Sequence, residues 1–126
     1  MTTFTTITTV AIPVSDQDRT RSLLERFGFE ARMDAELQEG FRWVELGLAG
    51  SPTTLALVRS GDGLPSGIDT GIRLATPDAR AAHVALAEAG LDVGELLDWE
   101  TAPLMFSFVD PDANRFYVIQ APGAST

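Results

Sequence analysis
The chain has no cysteine and no lysine, and it holds a single histidine and a single tyrosine. Without cysteine there can be no disulfide, no thiolate nucleophile and no thiolate metal site, so burial and hydrogen bonding must hold the fold unaided. No stretch approaches about 18 uninterrupted apolar residues, which excludes a membrane-spanning helix. The opening MTTFTTITTVAI lacks a basic start leading into an apolar run, so a cytoplasmic location is expected. All nine basic residues are arginine, a choice for which the sequence offers no physical reason.

Positive charge is scarce. Eighteen acidic residues stand against nine basic ones, for a net charge of -9. A protein that grips phosphates needs a clustered positive face, and here the long-range field repels polyanions, so nucleic acid is not an expected partner. The acidity reads either as solubility or as attraction for a cationic ligand. At 126 residues the chain fits one domain, residues 1–126, able to remove about two thirds of its unfolded surface from water.

The sequence repeats itself. Shifted by 62 positions, Thr9 to Phe29 lies on Gly71 to Leu91: Val10-Ala11-Ile12 meets Ile72-Arg73-Leu74, Asp16 meets Asp78, Leu24 meets Leu86, and Gly28 meets Gly90. Each copy runs a strand into an Asp able to cap a helix, continues in helical periodicity for about eleven residues, and stops at a Gly. Thr20, Leu23, Leu24 and Phe27 share a face of the first helix, as do Ala79, Ala82, Leu86 and Ala89 of the second, so both helices should lie on a sheet. Strand-like runs follow at 29–33, 41–48 and 53–59, and again at 93–99, 104–109 and 115–120. The pattern predicts an α+β fold of two βαβββ modules, at about 5–59 and 68–121, joined by a Gly- and Pro-rich link at 60–67. A doubled unit of this kind leaves sheet edges open, so two copies should pair.

Thr9-Val-Ala-Ile-Pro-Val-Ser-Asp16, the Gly28-Phe29 pair, and above all Phe106-Ser-Phe-Val-Asp-Pro-Asp-Ala-Asn-Arg-Phe116 resemble the vicinal oxygen chelate superfamily. That group includes glyoxalase I, extradiol dioxygenases, fosfomycin-modifying enzymes and bleomycin-resistance proteins. In the Asp-Pro-Asp turn, Pro111 should fix the first dihedral while Asp112 and Asn114 bond back to the local backbone. The family usually has Gly where Ala113 stands. The resemblance implies curved mixed sheets forming a trough with function on its inner face, and a homodimer by analogy. It also implies four metal-ligand positions, which fall on Thr9, Gly71, Tyr117, and Ala56 or, with a two-residue slip, Thr54. None is a carboxylate or an imidazole, so no metal and no cofactor is expected. His83, on the flank of the second helix, reads as a surface or helix-packing residue.

Strand alternation supplies the rest of the lining. With Thr9 and Tyr117 inward, Ile7, Ala11, Arg73, Arg115 and Ile119 join them. On the seventh strand Leu104, Phe106 and Phe108 suit packing under a helix, which leaves Met105 and Ser107 for the trough. An inward Arg73 needs a partner, either a carboxylate of the chain or a ligand. Trp43 shares a face with Glu45 and is a pocket candidate. Trp99 sits in a loop as a pocket wall or a dimer contact. Three functions remain open. The first is a metal-independent protein that binds a small aromatic or cationic drug-like molecule through Thr9, Trp43, Arg73, Trp99, Met105, Ser107 and Tyr117, as in antibiotic resistance. The second is a metal-free lyase or isomerase type enzyme using Tyr117 as acid or base, with Arg73 stabilising negative charge. The third is a non-catalytic structural or regulatory dimer module.

Overall fold
The computed structural model describes residues 2–61 and 64–121, so Asp62 and Gly63 of the expected link lie outside the described residues. The chain divides into two compact units, residues 1–66 and 67–126. The first holds β1 (Thr9–Val14), α1 (Gln17–Glu25), β2 (Phe29–Gln38), β3 (Phe41–Leu48) and β4 (Thr54–Arg59); the second holds β5 (Asp69–Thr76), α2 (Ala79–Glu88), β6 (Asp92–Val93), β7 (Met105–Val109) and β8 (Arg115–Gln120). Each unit is therefore a βαβββ module. Its four strands form one mixed sheet, in the orders β1-β4-β3-β2 and β5-β8-β7-β6. The first strand of each module lies parallel to the last, and the remaining pairs are antiparallel. No helix among the described residues is long and apolar enough to cross a membrane.

The helix boundaries follow from side-chain chemistry. Asp16 accepts the Arg19 amide and Asp78 accepts the Ala81 amide, each satisfying a donor that the first helical turn leaves free. Gly28 and Gly90 follow their helices at φ +106 and +89, a region where a Cβ would clash with the backbone. Each helix covers one face of its own sheet. Under α1 lie Ile12, Val14, Val44, Leu46 and Leu57, all at 0 % exposure, and Phe106, Phe108, Phe116 and Val118 fill the same place in the second unit. Phe108 and Phe116 stack at 5.3 Å between centroids, and burying each such ring contributes roughly 1.5–3 kcal/mol. His83 packs here as well, its ring edge-on to Phe106 at 4.9 Å and its Nε2 bonded to the Gly94 carbonyl oxygen at 2.8 Å.

Two groups absent from the sequence reading stitch the first unit together. The buried Gln17 side chain donates to the carbonyls of Leu57 and Arg42 at 2.8 and 3.0 Å, at the end of the β3–β4 ladder, where Leu57 is the last paired residue of β4 and Arg42 lies past the last paired residue of β3. Asp34 on β2 accepts from Arg42 and Arg21, tying the hairpin to α1. The Arg42 bonds, opposed by burial, hold the Asp34 carboxyl at about 2.

Three expectations need correction. The strand expected at 29–33 runs on to Gln38, because the tight turn before Phe41 carries residues 34–38 back along β3, with bulges at Arg32 and Leu37 absorbing the register shifts. The strand expected at 93–99 shrinks to Asp92–Val93 and an isolated bridge between Leu97 and Met105. At Gly94 the chain passes so close to β7 that an added Cβ would stand 3.0 Å from Ser107 Oγ. In the Asp-Pro-Asp turn the organising carboxylate is Asp110, whose Oδ1 accepts the Asp112 and Asn114 amides, while Asn114 Oδ1 takes the Gly67 and Ile68 amides and so fixes the entry to β5.

Ala113 stands in that turn at φ +64, which explains the family's Gly. Left-handed backbone costs a residue with a Cβ about 1–2 kcal/mol, and the extra chain entropy of Gly offsets roughly half of that. Ala113→Gly should therefore raise the free energy of unfolding by about 0.5–1 kcal/mol in urea titration.

Candidate functional site
Each sheet has a second face, turned away from its helix, and strand alternation assigns the side chains there. In the first unit β1 presents Thr9 and Ala11, β4 presents Thr54 and Ala56, and β3 presents Trp43 and Glu45. The pairing brings Thr9 opposite Thr54 and Glu45 opposite Ala56. In the second unit β5 presents Arg73, β8 presents Arg115, Tyr117 and Ile119, and β7 presents Met105 and Ser107, with Arg73 and Ser107 flanking Tyr117. A shift of 62 lays Met105 on Trp43 and Ser107 on Glu45.

The first face is organised around Glu45. The Trp43 indole N–H donates to Oε2 at 2.7 Å, and the Thr54 hydroxyl donates to Oε1 at 2.9 Å. The Thr9 hydroxyl lies 2.6 Å from that of Thr54 and joins the cluster. These hydrogen bonds, from Trp43 foremost and then Thr54, hold the Glu45 carboxyl below the usual glutamate range against the opposing pull of burial. Glu45 is thus ionised and half-buried, and no cation stands within ion-pair distance of it among the described residues. Around it are apolar groups: the Phe41 ring lies 6.1 Å from that of Trp43, and Met33 pairs with Glu45 across the hairpin.

On the second face, the Tyr117 hydroxyl donates to Asp69 Oδ2 at 2.6 Å, and Asp69 Oδ1 accepts the Gly71 amide. The Arg73 guanidinium lies over the Tyr117 ring, 4.8 Å from its centroid, and donates to the Gly71 carbonyl. Among the described residues no carboxylate is within ion-pair distance of Arg73, and a ring and a backbone carbonyl stand where a chain carboxylate was one of the two partners expected. Arg115 donates to Ser107 Oγ at 2.9 Å. The Asp69 bond raises the Tyr117 phenol above its ordinary value, which opposes its use as a base. Trp99 stands in the loop before β7 at 58 % exposure, with no ring contact among the described residues. Of the seven expected contact residues, Thr9 and Trp43 meet on one face and Arg73, Met105, Ser107 and Tyr117 on the other, while Trp99 lies on no strand.

The four superfamily ligand positions do not fit a metal. Thr9 and Thr54 offer neutral hydroxyls already bonded to each other and to Glu45, and Ala56 is a buried methyl at 0 % exposure. Gly71 has φ +68, a conformation that a His there would adopt only under strain, and Tyr117 is held by Asp69. Divalent ions need several anionic or imidazole donors converging. Among the described residues no group of three or more His, Cys, Asp or Glu is gathered to supply them. Glu45 and Asp69 are the residues that sequence reasoning missed. The lone acidic side chain within Trp43-Val-Glu-Leu was the available signal for the first, and the two-residue shift in β5 pairing hid the second.

No family model matches the sequence, and no curated protein does. Solved structures do match. A member of the glyoxalase/bleomycin resistance protein/dioxygenase superfamily from Sphaerobacter thermophilus superposes with a TM-score of 0.84 at 28% identity, over 94% of this chain and 98% of that one. TnmS3, an antibiotic binding protein from Streptomyces sp. CB03234, gives 0.82 at 27% identity over 98% and 100%. A glyoxalase/bleomycin resistance protein from the same Streptomyces gives 0.74 at 30% identity over 89% and 97%.

Because the Trp43 bond is the largest influence on Glu45, Trp43→Phe should move the carboxyl titration midpoint upward in carbon-detected NMR. An unchanged midpoint would contradict the assignment. The sign for stability follows: a depressed carboxyl stabilises above its ordinary value of 4.5 and loses that contribution as pH falls through its folded value. Trp43→Phe should flatten that dependence.

Proposed function
The chain belongs to the glyoxalase/bleomycin resistance/dioxygenase superfamily, and on that premise we propose that it is a metal-independent binding protein for a planar, cationic small molecule of the antibiotic type. The observation that carries this reading is the ionised Glu45 beside Trp43. A carboxylate held by neutral donors keeps its charge and has no countercharge among the described residues. A cation or an N–H donor on a ligand would supply it, while the indole, Phe41 and Met33 give a flat ring apolar surface to lie against. The chain's net charge of -9 favours the approach of a cation. An antibiotic binding protein among the structural relatives supports the ligand class.

Tyr117 as a catalytic base gains no support, since the Asp69 hydrogen bond raises the phenol further from deprotonation at neutral pH. The reading includes a cytoplasmic location and a homodimer, and light scattering on the purified chain checks the latter.

Thermal-shift screening should compare planar aromatic amines with neutral rings of the same shape. The amines should raise the melting temperature more. Trp43→Ala should weaken the best hits about fivefold or more for both classes. Glu45→Gln should weaken the amines alone. Hits indifferent to both substitutions would overturn the reading, as would a preference for the neutral rings.

A further inference from the structure
The second unit sets two guanidiniums on one face with no carboxylate in an ion pair with either among the described residues. Arg73 is opposite Tyr117, and Arg115 lies two residues back along β8. Strand spacing and rise place their Cα atoms about 8 Å apart. Neither side chain is loose. Arg73 is held over the Tyr117 ring and donates through Nη1 to the Gly71 carbonyl at 2.9 Å, while Arg115 donates through Nη1 to Ser107 Oγ at 2.9 Å. Each anchor takes one nitrogen of the fork, and the other donors have no partner among the described residues.

Asp69, opposite Arg115 on the ladder, is the neighbouring carboxylate, and its one charge attracts both guanidiniums through space without forming an ion pair with either among the described residues. One of its oxygens takes the Tyr117 hydroxyl at 2.6 Å and the other takes the Gly71 amide at 3.0 Å. Two cations thus share a face with one carboxylate that neutral donors already hold. Side by side they repel, their hydrogen-bond anchors are neutral groups, and the through-space attraction of the single Asp69 charge leaves the group net positive. It becomes favourable when an anion bridges the two forks, since guanidinium donors match the two oxygens of a carboxylate. Apolar surface continues from this spot: Met105 pairs with Ile119, the next pair on this face beyond Ser107 and Tyr117, and both are half-buried.

We propose that Arg73 and Arg115 form an anion-binding face that takes the carboxylate of an aromatic acid, with the ring lying toward Met105 and Ile119. This goes beyond the cation reading of the first unit and does not depend on it, because it rests on different residues with separate NMR signals.

The test is an NMR titration of the full chain with benzoate and, separately, with benzamide, following the arginine Nε–H and tryptophan indole signals. Benzoate should shift Arg73 and Arg115 along saturable curves, benzamide should not, and Arg73→Gln and Arg115→Gln should each weaken benzoate about fivefold or more. Equal response to benzamide, equal small drifts of all the arginines, or benzoate affinity unchanged in both variants would overturn the proposal. Failure at the arginines leaves the Trp43 indole response to aromatic amines intact, so this proposal and the reading of the first unit fail separately.

Discussion
A single ionised carboxylate held by neutral donors sets the chemistry of the first unit. Glu45 receives the Trp43 indole on one oxygen and the Thr54 hydroxyl on the other. That arrangement requires β3 and β4 in one register, since Glu45 must face Ala56 with Thr54 a diagonal step away. A slip by one residue would turn Glu45 under α1 and expose Val44 and Leu46. The packing of the helix face and the polar cluster on the opposite face are therefore two results of the same alternation.

The second unit uses the same ladder for the opposite polarity. Ser107 occupies the position of Glu45 and Met105 that of Trp43, while β5 and β8 add Arg73 and Arg115. Gly71 at φ +68, a conformation open to glycine, directs its carbonyl to Arg73 and its amide to Asp69, so backbone groups stand where the family would place a side chain. The two units share one scaffold and differ in the side chains on their helix-free faces. Neither face holds the donor set of a metal site among the described residues; the first presents a carboxylate and the second a net positive group of Arg73, Arg115 and Asp69, each beside apolar surface.

The modules, the Asp16 and Asp78 caps and the helix-covered residues were legible because they follow local periodicity. The helix-free faces of β7 and β8 were legible for the same reason: Phe106 and Phe108 mark the buried side and leave Met105 and Ser107 opposite. What could not be read depends on pairing. The length of β2 is set by β3 across the turn, the shortness of β6 by the close pass at Gly94, and the Glu45 cluster by three strands meeting in register. Arg73 shows the limit well. Its direction followed from alternation, but its partners, a ring on β8 and a carbonyl on its own strand, follow from the irregular pairing between Asp69 and Arg73.

The central claim is that the charge on Glu45 does the recognising. The pH profile of 9-aminoacridine affinity, measured by fluorescence over an acid range in which the dye stays protonated, addresses it directly. The wild-type chain should bind with constant affinity down from neutral pH and then weaken as Glu45 takes up its proton below the ordinary glutamate value, while Glu45→Gln should bind weakly and without that inflection. Matching profiles in the two proteins would contradict the account.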